Sequence, residues 1–469
     1  VTGIPASRSD AARFKRQSAA ARREALEEGR ALRQKVPRSS HAVWKPPANR
    51  ADPVALLLRT DKRRLAHLLP LRYGRMSQSA FAFMRGTAAL MAADLMATPV
   101  SGIRTQACGD SQLSNFGAFA SPERRILFDI TDFDETLPGA WEFDLKRLAA
   151  SFILAARDKG YDRPKAKEVA RAAVRSYREH MQEFAAMSPL ETWYFIIDSE
   201  LLIRTAPDKA TRQRRQRFER RARTRGVESL LGKLLVDSGG TWRFQEQPPT
   251  LERLRRGSGL EKSFRKALER YPRTLPEDRR ALLARYRLVD LAFKVVGVGS
   301  VGTRCAIGLY LSEAGDPLVL QVKEALPSVL EPHGGRTAFA NEGQRVVVGQ
   351  RLMQCASDIF LGWASDGEGH DYYVRQLRDM KTSVPLDKLE GPVLYNFAGM
   401  CGWALARAHA KAGNAARLAG YIGRNDRLDN ALVRFAQDYA DQCERDYALF
   451  MRAVRIGKIA IEVETPETR

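Results

Sequence analysis

Apolar side chains recur at helical spacing through most of the first 190 residues. Ser79–Met96 shows it most clearly, with apolar positions at Phe83, Ala88, Leu90, Met91 and Leu95, and a helix is predicted there. Asp52–Leu69, Trp141–Asp158 and Pro164–Met187 are also predicted helical. After Pro99 two short apolar runs, Ile103–Ala107 and Arg125–Ile130, predict strands. Residues 1–40 read as a polar helical arm that ends near Pro37, and Pro46–Pro47 makes a second break. From about Ser199 to Arg280 the chain is charged and broken by prolines and glycines, and it reads as a mostly helical insertion or linker. The texture then turns strand-like: Phe293–Val298, Arg304–Leu311 and Leu318–Lys323 carry β-branched and apolar runs. A helix over Asn341–Ala356, strands over Ile359–Trp363 and Tyr372–Leu377, and helices over Pro392–Lys411 and Asp426–Val454 complete the pattern. The expectation is an α+β fold of two lobes. It divides into an arm (1–40), a large helical lobe (41–198), a charged insertion (199–290), a small lobe with a five-stranded sheet and one helix (291–380), and a helical tail on the large lobe (381–469).

Composition narrows the classes. A chain of 469 residues is long enough for two lobes, and 44% hydrophobic with 28% charged residues is ordinary for a globular protein. No apolar run reaches the ~18–20 residues of a membrane span. The N-terminal segment Val1–Arg38 lacks the apolar core of an export signal. Five scattered cysteines without a C-x-x-C pair argue against a disulfide framework or a structural zinc site, and fit a cytoplasmic location. There is no H-E-x-x-H motif, which argues against a zinc hydrolase. The net charge of +22 is concentrated in Arg8–Arg38 and Arg212–Arg225. Such clusters suit nucleic acid or another polyanion, an acidic membrane surface or a phosphorylated substrate, and equally suit a solvated helix face or arginines paired with carboxylates elsewhere. No nucleic-acid-binding motif accompanies them.

The chemistry lies in two separated sets of residues. Gly297-Val298-Gly299-Ser300-Val301-Gly302 joins two predicted strands, an arrangement that lets backbone N–H groups approach phosphates. The next strand ends in Gln321-Val322-Lys323-Glu324-Ala325, and Glu342 opens the following helix. A strand lysine paired with a helix glutamate is a device for holding α- and β-phosphates, so Lys323 and Glu342 are expected to meet. Tyr373, Val374 and Gln376 are expected nearest an adenine.

The second set lies upstream. Cys108-Gly109-Asp110-Ser111-Gln112-Leu113-Ser114-Asn115 resembles the H-G-D-x-x-x-x-N catalytic loop of aminoglycoside phosphotransferases and choline kinases. Ile130-Thr131-Asp132-Phe133-Asp134 resembles their I-D-F-D metal segment, and Trp141-Glu142-Phe143-Asp144-Leu145 the start of the helix that braces the loop. The resemblance implies that Asp110 accepts or orients the acceptor hydroxyl and that Asn115 and Asp132 hold Mg²⁺. Asp134 is open to a second metal or a turn cap, Asp144 to bracing the loop, and Asp129 to a structural role.

Across roughly residues 36–455 the chain also resembles a bacterial family known only as a domain of unknown function and grouped with the protein-kinase-like superfamily. That implies a kinase-like fold with its lobes in permuted order, ATP and Mg²⁺ as ligands, and phosphoryl transfer to an unidentified small-molecule or protein hydroxyl. Cys108 stands where histidine is usual and Asp134 where protein kinases have glycine. A nucleotidyl transferase or nucleotide-binding pseudoenzyme of the same fold, and a nucleic-acid-binding protein using its arginine clusters, are the alternatives. The geometric expectation is definite: Gly297–Gly302 overhangs Asp110, Asn115 and Asp132, although Asp132 and Lys323 lie far apart in the chain.

Overall fold

The computed structural model describes residues 8–223, 232, 234–377 and 389–464. Arg225, at the end of the second arginine cluster, lies outside them.

Two apolar cores organise the chain. The larger forms around helix Trp141–Asp158, whose Leu145, Leu148, Phe152 and Ile153 are fully buried. Helices Arg163–Ala186, Pro392–Ala412 and Arg427–Arg455 pack around it. Asp162 starts the first of these by accepting a hydrogen bond from the Lys165 N–H, at 2.8 Å. The N-terminal helix Arg8–Lys35 is docked rather than free. A Cβ added to Gly420 would lie 2.1 Å from the Leu26 carbonyl oxygen, so only glycine permits this crossing with helix Ala415–Ile422.

Strand β1 (Arg104–Ala107) pairs antiparallel with β4 (Leu137–Ala140), and β2 (Phe116–Ala120) with β3 (Ile126–Ile130). A further hairpin joins β5 (Leu235–Asp237) to β6 (Trp242–Phe244). The main sheet is antiparallel and contains β7 (Leu251–Arg253), β8 (Tyr286–Lys294), β9 (Cys305–Ser312), β10 (Pro317–Ala325), β11 (Gly362–Ser365) and β12 (Asp371–Gln376). Its spatial order is β11-β12-β10-β9-β8-β7. Strand alternation sorts β10: Leu318, Leu320 and Val322 join Phe264, Leu268 and Tyr271 in the second core. Gln321 and Lys323 take the other face.

Several expectations change. The sheet has six strands, not five, because β7, within the segment expected to be mostly helical, pairs with β8. Helix Gly259–Arg270, from the same segment, covers the sheet. The helix expected over Ser79–Met96 is two, Ala80–Gly86 and Ala88–Leu95, broken at Thr87. There the Thr87 hydroxyl donates to the Phe83 carbonyl, and the Gly86 carbonyl is left to accept from Arg72. The helix expected over Asp52–Leu69 stops at Asp61, releasing Arg64 to bond elsewhere. No described helix is long and apolar enough to cross a membrane.

The docked arm carries a pH-dependent contact. The buried Tyr421 hydroxyl donates to the Val36 carbonyl, so it accepts from Nε2–H of neutral His41, at 2.6 Å. The other His41 ring nitrogen has no hydrogen-bond partner. Burial, reinforced by the Lys146 ammonium, outweighs the nearby Pro99 carbonyl and pushes the His41 pKa from 6.5 down to about 3. The neutral ring is therefore favoured on folding. Its contribution is complete above 6.5 and is lost as pH falls toward 3, at roughly 1.4 kcal/mol per pH unit. Against His41→Gln, the wild-type protein should lose stability more steeply below pH 6.5 in urea titrations. Parallel pH profiles for the two would contradict this.

Candidate functional site

The loop after β1 is fixed by its backbone. The N–H groups of Cys108 and Gly109 donate to the Asp144 carboxylate at 2.8 and 3.0 Å. Asp144 lies in the first turn of helix Trp141–Asp158, so the brace comes from the rigid centre of the larger core. His409 Nε2 lies 3.1 Å from Asp144, and the Tyr177 hydroxyl 2.9 Å from His409 Nδ1. Held in this way, Asp110 presents one oxygen to Arg147 and the other to the Asn115 amide, 3.3 Å away. The same amide donates to the Asp110 carbonyl at 2.8 Å, while Gln112 donates to Asn115 Oδ1 at 2.8 Å.

Strand β3 carries the chain to the acidic turn. The Thr131 N–H donates to the Asn115 carbonyl at 2.8 Å, tying this turn to the loop. The Asp134 N–H donates to Asp132 Oδ1 at 3.1 Å. Asp134 uses both oxygens: one accepts from the Tyr373 hydroxyl at 2.7 Å, the other from Lys323 and, at 3.2 Å, from Ser300. Burial raises the Asp132 pKa, and the neighbouring Asp134 charge raises it further. Burial opposes ionisation of Asp134 too, but the Lys323 ammonium and the hydrogen bonds from Lys323 and Tyr373 prevail and hold it below the usual range.

The glycine-rich turn is clamped from outside. Arg64 donates to the carbonyls of Val301 and Gly299, each at 2.8 Å, Arg72 to that of Val298, and Arg75 to that of Val296 at 2.6 Å. Asp61 holds Arg64 and Arg72 in turn. Gly302 has φ +89°, and a Cβ there would lie 2.9 Å from the Arg64 side chain.

These pieces enclose a cavity of about 180 Å³. Asp110, Gln112, Asn115 and Asp132 line it from one side of the chain, and Val296–Ser300, Gln321, Lys323 and Arg375 from the other. A larger cleft of about 920 Å³ adjoins it, sharing Val296, Gly297, Gln321 and Arg375 and reaching Phe119, Ile359 and Gln376. Of the residues expected at this site, the structure brings Asp110, Asn115, Asp132, Gly297, Gly299, Ser300 and Lys323 to the smaller cavity and Gln376 to the cleft. Tyr373 touches Asp134.

Three expectations are not met. Glu342 bonds Arg345 at 2.6 Å, and no hydrogen bond or ion pair links it to Lys323, whose partner is Asp134. Arg345, one helical turn on, competes for the glutamate and secures it to the Asp134 and Thr136 carbonyls. Val374 is fully buried in the second core, on the face away from Lys323. Gly302 stands behind the cavity, its carbonyl accepting from the Leu65 N–H.

Sequence reasoning missed His409, Tyr177 and the three clamping arginines. Two of these arginines lie in the Arg-Tyr-Gly-Arg run at Arg72–Arg75, the one local signal that could have drawn notice to them. Arginines of the second cluster lie on helix Lys209–Arg223, where Phe218 and Ala222 pack on the β2–β3 hairpin and Arg215 donates to the Leu202 carbonyl.

Fold and site together define an α+β protein in which a lysine-bearing sheet and a carboxylate-bearing helical body close on one polar cavity. The chain belongs to the family described as an uncharacterized protein conserved in bacteria (DUF2252), whose model matches residues 64–453. No curated protein and no solved structure matches the chain.

Proposed function

We propose that the protein is an ATP- and Mg²⁺-dependent phosphotransferase with a kinase-like architecture in permuted order. One observation carries this reading: Lys323, Asp132, Asn115 and Asp110 line a single small cavity beneath the turn Gly297–Ser300, although the motifs lie in opposite halves of the chain.

The donor set suits a hard cation in part. Asp132 offers a half-buried carboxylate beside a second acid, a place where a divalent charge relieves repulsion. Asn115 offers an amide oxygen once Gln112 turns away. Asp134 is committed to Lys323, Ser300 and Tyr373, which favours a positioning role over that of a second metal ligand. No group of three or more His, Cys, Asp or Glu that could hold a metal occurs among the described residues. The assignment therefore rests on Mg²⁺ held by one or two side chains together with phosphate oxygens. Bound there, the ion would neutralise charge developing on the phosphates.

Lys323 would hold the α- and β-phosphates, while the turn's backbone covers them. The larger cleft has room for a nucleoside, with Phe119 and Ile359 as apolar walls. Asp110 would orient the acceptor hydroxyl and take its proton. The acceptor oxygen then bonds to the γ-phosphorus as the bond to the bridging oxygen breaks, and ADP departs.

MgATP should raise the melting temperature by linkage to the folded state, and Asp132→Ala should remove the magnesium-dependent part of that rise. An Asp132→Ala variant that keeps the full rise would defeat the metal assignment. Products formed from labelled ATP identify the reaction, ADP for phosphoryl transfer and pyrophosphate for nucleotidyl transfer.

A further inference from the structure

Three cationic side chains line the smaller cavity. Lys323 is bound to Asp134, and Arg375 donates to the Gln321 side chain at 3.0 Å and toward the Thr131 carbonyl. Arg85 is different. It ends helix Ala80–Gly86, and its Nε is buried without a hydrogen-bond partner. Among the described residues its side chain forms no hydrogen bond or ion pair.

Its surroundings explain both its position and its lack of a partner. The Asp110 carboxylate attracts it but is already engaged by Arg147 and Asn115. Burial and the neighbouring Arg75 both disfavour its charge. Its backbone is held in place: a Cβ on Gly299 would sit 3.5 Å from the Arg85 carbonyl oxygen, and the next carbonyl, of Gly86, accepts from Arg72 at 2.6 Å. A half-buried guanidinium that lines a cavity and has no protein acceptor for its Nε gains a partner when an anion enters the cavity. Its planar fork suits two oxygens of a phosphate.

We infer that Arg85 is a substrate-contacting residue that binds the terminal phosphoryl group of a nucleoside triphosphate at the Asp110 end of the cavity. This inference rests on the phosphotransferase reading and adds the group that recognises the γ-position. It makes the site selective for triphosphate over diphosphate, because a diphosphate held by Lys323 would leave Arg85 unpaired.

The test is calorimetric titration of the full chain with a non-hydrolysable ATP analogue and with ADP, each with Mg²⁺, for the wild type, Arg85→Gln, Arg85→Lys and Lys323→Ala. Arg85→Gln should weaken the triphosphate analogue about 10- to 100-fold, the scale of a lost charge-assisted contact, and leave ADP within about two-fold. Arg85→Lys should fall between, and Lys323→Ala should weaken both nucleotides. The ligand-free melting temperature of Arg85→Gln should equal or exceed that of the wild type, since a half-buried charge without a protein acceptor is removed. A residue that merely supports the fold would lower it. Equal loss of both nucleotides, or no loss of either, in Arg85→Gln overturns the inference while leaving the phosphotransferase reading intact. A wild type that binds neither nucleotide overturns both.

Discussion

Asp110→Ala is expected to bind MgATP within about two-fold of the wild type while phosphoryl transfer falls by about 100-fold or more, the scale of a lost general base. Binding should survive because Asp110 is not what holds the loop: that loop hangs on Asp144 through the N–H groups of Cys108 and Gly109. Asp110 instead spends its oxygens on Arg147 and Asn115, at the cavity wall. Single-turnover transfer and equilibrium binding, measured on the same preparation, separate the two effects. Parallel loss of binding and transfer would make Asp110 a structural residue.

The largest effect on stability is expected at Arg407. Arg407 and Asp129 are an ion pair with both side chains fully buried, 2.8 Å apart. Arg407 also donates to the Met353 carbonyl, and Asp129 accepts from the N–H groups of Ile130 and Cys355. Together they join β3, which leads to the acidic turn, to helices Glu342–Met353 and Pro392–Ala412. Arg407→Met leaves the carboxylate buried without its counter-charge and should cost about 3–5 kcal/mol in urea unfolding. Adding Asp129→Asn removes the charge and keeps an acceptor for one of the two N–H groups, and should restore part of the loss. A single-variant cost below about 1 kcal/mol would contradict the pairing.

How far the site was legible in the sequence depended on how locally each contact is encoded. Lys323 could be found because strand alternation and the glycine turn fix its face within a few residues. The loop Cys108–Asn115 and Asp144 could be found because their spacing resembles a known loop and its brace, and the structure shows the N–H groups of Cys108 and Gly109 on Asp144. The partner of Lys323 was not legible. Glu342 has the expected place in order, but Arg345 is its near neighbour on the same helix and takes it. Asp134 reaches Lys323 only through the meeting of two distant segments. The arginine clamp was hidden for the same reason: Arg64, Arg72 and Arg75 act on carbonyls more than two hundred positions away. The break at Thr87 was hidden because its apolar periodicity runs on through both helices, and Arg72 enters only in three dimensions. Strand β7 is three residues long and becomes visible only beside β8.

In the proposed function Lys323 and the acidic turn form one nucleotide site. Labelling with an adenosine analogue that carries a lysine-reactive group at the phosphate position, followed by mass spectrometry of the peptides, tests it most directly. The expected result is modification at Lys323, suppressed by MgATP in the wild type and poorly suppressed in Asp132→Ala. Modification confined to other lysines, or labelling of Lys323 that MgATP does not suppress, would rule out a nucleotide site there.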